Sequence, residues 1–408
     1  MSTTDENQEN LARLGQHPVE TTDKTFASLG LDEEILKSVQ QVGFKHPSAI
    51  QAAVIPLALT GKDLIGLAQT GSGKTAAFVI PLAARLLHGK GLRGLIVCPT
   101  REIALQTQAF LEIFGKHHQL STACIIGGVR MGAQIRALKK DLDIIVATPG
   151  RLLDHIKRKN VSLKKISSLV LDEADHMLDL GFLPQLREII KNLPRNRHTM
   201  MFSATMPADI ERLARQHLKD PERIDILPEG RAAEGIKHRL YLVDGPNKKK
   251  CLLAMLKQEL GSTLVFTRRK IDANGIYHIL ADDGHPVTTM HSDKSQRERV
   301  QALEGFRSGK FRVLVATDIA SRGIDVANIQ HIINFNIPQT VEEYIHRAGR
   351  TARMKTQGMV STIATWKDKD MITEIETTLG EKLPRCTIAG IEPYVEIKVK
   401  RPVKKARW

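Results

Sequence analysis

Cysteine is scarce in this chain: there are four in 408 residues, Cys98, Cys124, Cys251 and Cys386, each isolated from the others. With no Cys-x-x-Cys pair, neither a thiolate zinc site nor a disulfide framework can be assembled, and reduced buried thiols are expected. Long apolar runs are missing too. Ala52–Leu59 and Ala76–Ala84 stop at Thr60 and Arg85, short of the roughly 18 residues a spanning helix needs, so no membrane association is expected. The opening MSTTDENQEN is polar and acidic, the reverse of a secretory signal, which leads us to expect a cytoplasmic chain. Acidic side chains are in deficit: 45 Asp and Glu stand against 60 Lys and Arg, a formal net charge of +15. That excess favours a polyanionic partner, nucleic acid first. Hydrophobic residues make up 42% and charged residues 26%, the balance of an ordinary folded protein. At roughly 150 residues per domain the length asks for two or three domains.

Residues 1–24 set Asp5, Glu6, Glu9, Glu20 and Asp23 against Arg13 and Lys24 and read as a flexible acidic leader. Short apolar runs then alternate with helix-length amphipathic segments: DLIGLA, GLIVCPT, LDIIVATP, SSLVLDEAD and HTMMFSAT. This is the pattern of a buried parallel sheet with crossover helices. It lapses at residues 228–236, PEGRAAEGI, into Pro, Gly and charge, an expected linker. A second series follows: STLVFTR, PVTTMHS, RVLVATD, HIINFNIP and VSTIATW. Two of its strands echo the first series at one offset, LIVCPTR against LVFTRRK and IVAT against LVAT, both 169 residues apart. The expectation is an α/β protein with one domain at 25–227, a second at 237–392 that repeats it, and a basic tail at 393–408. The tail ends VEIKVKRPVKKARW, six Lys or Arg against one Glu. It reads equally as an auxiliary RNA contact, with Trp408 stacking on a base, or as a solvated terminus.

After DLIGLA comes AQTGSGKT, Ala68–Thr75, with a helix-compatible segment directly behind it. Ala68, Gln69, Thr70, Gly71, Ser72 and Gly73 would wrap backbone N–H groups around a phosphate chain. Lys74 adds a point charge and Thr75 a magnesium ligand. In a parallel sheet the turn after SSLVL emerges beside this loop. Asp172 can hold magnesium there, and Glu173 can orient or deprotonate a water. VEEYIHRAGRTAR gathers Arg347, Arg350 and Arg353, whose guanidinium groups could reach a γ-phosphate if the segment is helical.

These motifs, with GFKHPSAIQ, PTREIA, the glycines at 127 and 128, TPGR, SAT, QRER and ATDIASRGID, resemble those of DEAD-box RNA helicases of superfamily 2, and among them the bacterial RhlE type. The resemblance implies two RecA-like domains, each a mainly parallel sheet with helices on both faces. It implies ATP and Mg²⁺ as cofactors, an RNA-stimulated ATPase and RNA as the partner of a monomer. It places Phe44 and Gln51 on adenine with Phe26 behind them, Gly323 and Asp325 on the ribose, and Arg350 and Arg353 as arginine fingers beside catalytic Lys74 and Glu173. Asp175, Ser203, Thr205, Gln296 and His346 would couple nucleotide state to domain closure. RNA would meet Pro99, Thr100, Arg101, Gly128, Thr148, Gly150 and Arg151 in the first domain, and Thr267, Arg299 and Thr317 in the second. Backbone donors, hydroxyls and guanidinium groups suit phosphates and 2′-hydroxyls, so binding should be largely independent of sequence. Ile103, Ala348 and Ala352 depart from the family pattern without removing a needed charge or hydroxyl, and no glycine follows His291. The activity implied is local unwinding of short duplexes or remodelling of RNA–protein complexes. An ATP-gated RNA clamp with little unwinding is the alternative, and a DNA helicase or a small-molecule kinase fits the motifs less well.

Overall fold

The computed structural model describes residues 21–68, 71–115, 120–226, 235–318, 329–351 and 357–391. Two compact units divide chiefly between Gly230 and Arg231. Most of the 228–236 segment, most of the 1–24 segment and all of the 393–408 segment lie outside the described residues. Where these segments are described they are ordered. Ile236 is already the first residue of a strand. Thr21 bridges Ser48, and the Thr22 N–H donates to the Pro47 carbonyl at 2.9 Å. Main-chain pairing overrides the polar composition at both places.

Unit 1 contains strands β1 (Leu64–Ala68), β2 (Gly94–Val97), β3 (Thr122–Ile125), β4 (Ile144–Ala147), β5 (Ser168–Leu171), β6 (His198–Ser203) and β7 (Glu222–Ile226). They form one parallel sheet in the order β3-β4-β2-β5-β6-β1-β7. Unit 2 contains β8 (Ile236–Leu242), β9 (Thr263–Thr267), β10 (Val287–Met290), β11 (Val313–Thr317), β12 (His331–Asn334) and β13 (Gly358–Ala364). These are also all parallel, in the order β10-β11-β9-β12-β13-β8. Counted from each unit's first strand, both sheets run third, fourth, second, fifth, sixth, first. The strands that echo at the common offset, β2 with β9 and β4 with β11, occupy matching places in the two sheets.

Alternation along the inner strands of unit 1 builds a core on each sheet face. Ile96, Val146, Val170 and Met200 point into one core, which is closed by α2 (Ala49–Thr60), α3 (Lys74–Leu86) and α4 (Arg101–Gly115). Leu95, Ile145, Leu169 and Met201 point into the other, closed by α6 (Pro149–Lys157), α8 (Leu183–Lys191) and α9 (Ala208–His217). Three further helices of unit 1 are α1 (Glu33–Gln41), α5 (Met131–Leu138) and α7 (Ala174–Asp179). Unit 2 adds α10 (Lys248–Gln258), α11 (Lys270–Asp282), α13 (Val341–Ala348) and α14 (Lys369–Leu379), while α12 (Gln296–Arg307) divides, its residues through Val300 falling in unit 1 and the rest in unit 2. Among the described residues no helix is long and apolar enough to cross a membrane.

Of the histidines buried on strands, His198 on β6 and His331 on β12 are each 3% exposed. Burial pushes both down to about 4. Both are neutral in the folded chain, whereas an unfolded histidine titrates near its ordinary value of about 6.5. Above that value they cost nothing. As pH falls from about 6.5 toward 4, the unfolded state gains protons that the folded state refuses, a loss of about 2 kcal/mol per histidine by pH 5. Urea unfolding at pH 7.5 and pH 5 should therefore show lower midpoints at the acid end. His331→Gln should reduce the acid sensitivity of unit 2 without abolishing it, because burial also holds His238 on β8 below its ordinary range, and equal midpoints at the two pH values would contradict the account.

Candidate functional site

Parallel strands bring their C-terminal ends to one edge of the sheet, and in unit 1 the strand order divides that edge in two. The neighbours β5, β6 and β1 carry the acidic turn, SAT and the phosphate loop. The neighbours β3, β4 and β2 carry the glycine pair, TPGR and PTREIA.

Gly71 and Gly73 lie in the left-handed region, at φ 84° and 91°, and Gly73 leads directly into α3. A Cβ on Gly73 would come within 2.5 Å of Gln51 Nε2, so this position needs glycine for both backbone and space. Gln69 and Thr70 lie outside the described residues. Lys74, 7% exposed, donates from Nζ to the Ala68 carbonyl at 2.6 Å. Thr75 follows on the first turn of α3, and Ser72 is half-buried beside it.

Asp172 leaves β5 with its N–H on the Val97 carbonyl at 2.9 Å and is 4% exposed. Burial, then the charge of Glu173, pushes its carboxyl up to about 7, while Lys74 pulls the other way. A divalent cation would reverse that penalty. The donor set, a threonine hydroxyl and a buried carboxylate, offers the hard oxygens magnesium prefers, and it fits. Among the described residues no cluster of three or more His, Cys, Asp or Glu is arranged to hold a metal, so the phosphates and water would supply the other ligands.

Glu173 sits at φ 49° and ψ 58°, a left-handed conformation that costs a non-glycine residue roughly 1 kcal/mol or more. It is held there from both sides. Its carbonyl accepts the Met177 N–H at 3.0 Å, and its Oε2 lies 3.0 Å from His176 Nδ1. His176, 5% exposed, escaped the sequence reading; its only signal is that it falls three residues after Glu173. Asp175 joins the turn to β6. Its N–H donates to Ser203 Oγ at 3.1 Å, and its Oδ2 accepts the Ala204 N–H, the Thr205 N–H and the Thr205 hydroxyl at 3.2, 2.9 and 3.0 Å.

Phe44 is half-buried and stacked on buried Phe26, with ring centroids 6.0 Å apart. Gln51 is 4% exposed, and both ends of its amide are engaged with protein. Oε1 accepts the Ser48 N–H at 2.9 Å and Nε2 donates to the Gly73 carbonyl at 3.1 Å. In this structure Gln51 struts the phosphate loop from the start of α2; presenting its edge to a base would require it to release one of these bonds.

On the other half of the edge, Pro99 and Thr100 are buried, and Thr100 Oγ1 accepts the Ile103 N–H at 3.3 Å, capping α4. Arg101 lies against the two glycines. A Cβ on Gly128, which has φ 77°, would collide with its guanidinium. Thr148 starts α6 with Pro149 behind it. Gly150 is exposed, and Arg151 donates from Nη1 to the Val129 carbonyl at 2.8 Å. The seven residues named for RNA in unit 1 thus lie on three adjoining loops.

In unit 2, Thr267 and Thr317 are register partners at the ends of β9 and β11. They differ in access. Thr317 is half-buried, whereas Thr267 is 0% exposed, so its hydroxyl does not reach the surface. His346 lies on α13, while Gln296 and Arg299 lie on the part of α12 that falls in unit 1. Arg347 corrects the expectation that three arginines reach together. Its Nε and Nη2 donate to Asp318 at 2.6 and 2.7 Å, its Nη1 donates to Asn334 Oδ1 at 2.9 Å, and its guanidinium lies over the Phe266 ring at 4.9 Å. Helix α13 ends before Arg350, which is 6% exposed. Gly323, Asp325 and Arg353 lie outside the described residues.

Residues 48–213 match the DEAD/DEAH box helicase family and residues 247–355 the helicase conserved C-terminal domain. The chain is 39% identical over 375 residues to the DEAD-box ATP-dependent RNA helicase CshA of Bacillus licheniformis, covering 91% of this chain and 77% of that protein. It is 40% identical over 342 residues to the DEAD-box ATP-dependent RNA helicase RhpA of Helicobacter pylori, covering 84% and 70%. Its fold is similar to that of S. cerevisiae Dbp5 bound to RNA and ADP BeF3, with a TM-score of 0.81 and 29% identity over 89% of this chain and 95% of that one.

Proposed function

We infer that this chain, which belongs to the DEAD-box helicases, is an ATP-dependent RNA helicase and RNA-stimulated ATPase that yields ADP and phosphate. The observation that carries the reading is the divided edge of unit 1, with one triplet of neighbouring strands suited to a nucleoside triphosphate and the adjoining triplet suited to a polynucleotide backbone. Its further placement with the RhlE type rests on motif resemblance alone.

The finer division of labour is as follows. The phosphate loop and the N-terminus of α3 take the phosphates, for which Lys74 exchanges the Ala68 carbonyl. Thr75 and Asp172 would hold magnesium, which when bound would neutralise phosphate charge. Glu173, steered by His176, accepts the proton of the attacking water. Asp175 passes a change at the nucleotide to Ser203 and Thr205 through one carboxylate. Arg350 and Arg353 serve as cations to the γ-phosphate. RNA lies on the PTREIA, glycine and TPGR loops through its phosphates and 2′-hydroxyls, and the mode of action is local strand separation rather than long-range travel. Phe44 favours adenine by stacking.

The test is ATP turnover with single-stranded RNA, with DNA of the same sequence and with neither, beside a short-duplex release assay. Strong stimulation by RNA alone together with ATP-dependent release is expected. Equal stimulation by DNA would indicate a DNA helicase. ATP-dependent RNA retention with negligible turnover would indicate a clamp.

A further inference from the structure

The opposite edge of the unit 1 sheet, where its strands begin, carries a charge that none of this chemistry uses. The loops entering β4, β2, β5 and β6 are neighbours in the sheet order. They are stitched together by main-chain bonds: Gly94 N–H to the Asp143 carbonyl at 2.9 Å, Ser167 N–H to the Arg93 carbonyl at 2.8 Å, and His198 N–H to the Ser167 carbonyl at 2.9 Å. From this row project Lys139, Lys140, Lys90, Lys164, Lys165 and Arg195, all exposed. None has an ion-pair partner among the described residues. Asp143, the carboxylate that could have answered them, is engaged by Arg93 at 2.9 Å and by the Ser121 N–H at 3.0 Å, which leaves Asp141 exposed on the row.

Helix dipoles explain part of this. Lys139 caps the C-terminus of α5, where a cation is favoured. Lys90, Lys164, Lys165 and Arg195 lie on loops that no dipole argument covers. Nor does the fold demand them, because unit 2 repeats the strand order and supplies a comparison within the same chain. Its loops entering β9 and β11 match those entering β2 and β4, and Glu259, before β9, pairs with Arg239 at 3.0 Å. Arg312 there donates to the carbonyls of Glu259 and Leu256. Among the described residues of those two loops Lys310 is the one exposed cation without an ion pair, against Lys90, Lys139 and Lys140 in unit 1.

We propose that the strand-entry edge of unit 1 is a second RNA contact, which takes the phosphate backbone of structured RNA flanking the strand the helicase acts upon. The inference rests on the RNA-helicase reading. Four neighbouring strands set the row at roughly 15 Å, about four phosphates along one strand of a duplex. Lysine ammonium groups are point charges that neutralise phosphate without reading bases. A helicase holding a large folded RNA at one edge of this sheet acts on a short strand at the other without losing its substrate between turnovers.

The test combines Lys139→Gln, Lys140→Gln, Lys164→Gln and Lys165→Gln. Affinity is measured between roughly 50 and 200 mM salt for a single strand of about 12 nucleotides and for the same strand joined to a duplex of about 30 base pairs. The salt slope on the joined RNA should fall by about 3, at 0.7 to 0.9 for each lost phosphate contact. Affinity for the short strand and the ATPase activity it stimulates should not change, and the four Lys→Arg replacements should keep the wild-type slope. If the Gln variant binds joined RNA with the wild-type slope, the proposal is wrong and the patch faces an acidic protein or nothing. The Lys164→Gln, Lys165→Gln pair, expected to lose about half as much slope, decides the matter should the fourfold variant melt early. A wild-type chain whose ATPase activity ignores RNA would sink the helicase reading itself, a different result from unchanged slopes.

Discussion

Glu173→Gln should lower RNA-stimulated ATP turnover by roughly 10²- to 10⁴-fold, the range a positioned general base supplies, while ATP and RNA binding persist. Glutamine keeps the length and shape of the side chain and can still accept a hydrogen bond from His176 Nδ1, which lies 3.0 Å from Glu173 Oε2. It loses the ability to take a proton. The swap also removes a negative charge beside Asp172, the second cause, after burial, of that carboxyl's rise to about 7. Asp172 therefore ionises more readily in the variant, and magnesium–nucleotide binding should hold or tighten. The signature is a collapsed kcat with an unchanged or lower KM, read from steady-state turnover beside equilibrium binding of a labelled nucleotide. A variant that keeps most of its turnover would remove Glu173 from the chemistry. One that loses nucleotide binding in proportion would make it a binding residue instead.

What the sequence discloses of this fold follows from burial. Strands β1, β2, β4, β5 and β6 are covered on both faces and appear as unbroken apolar runs. Strands β3, β7 and β8 were not recognised. Thr122–Ile125 is half-exposed at alternate residues, Glu222–Ile226 is largely solvent-facing, and Ile236–Leu242 is interrupted by Lys237, His238 and Arg239. All three lie at sheet edges, where one side of the strand has no neighbour and the hydrophobic signal halves. At the site, short motifs identified the residues but not their local partners. Nothing in GFKHPSAIQ says that Gln51 ties the phosphate loop to α2. The tetrad at 172–175 does not reveal the left-handed backbone at Glu173 or the buried His176 beside it. Arg347 looked equivalent to Arg350 because spacing carries no information about Asp318, which meets Arg347 only once β11 and α13 are packed.

Lys74→Ala should weaken nucleotide binding by about 10- to 150-fold and, at saturating ATP, lower turnover by a further 10²- to 10³-fold. The first range corresponds to one charge-assisted hydrogen bond of about 1.5–3 kcal/mol; the second to an electrostatic donor missing where charge develops. Both losses come from one group because Lys74 is 7% exposed at the mouth of α3, where its Nζ donates to the Ala68 carbonyl at 2.6 Å and its charge acts on Asp172. A phosphate is a better partner than a carbonyl, so binding exchanges a poor contact for a good one. The alanine variant forfeits that gain. It also withdraws the positive charge that pulls the Asp172 carboxyl downward, so Asp172 moves further above its ordinary range and less of it is ionised at pH 7, which compounds the loss for the magnesium complex. Melting temperature should change little, since the cost of burying the ammonium is roughly offset by its attraction to Asp172. That separates the effect from unfolding. Lys74→Arg keeps the charge but replaces a compact head with a planar fork beside Gly73, which already lies against Gln51, and it should rescue little. Wild-type nucleotide affinity in Lys74→Ala, measured by titration with labelled ATP, would mean that the phosphates are held elsewhere.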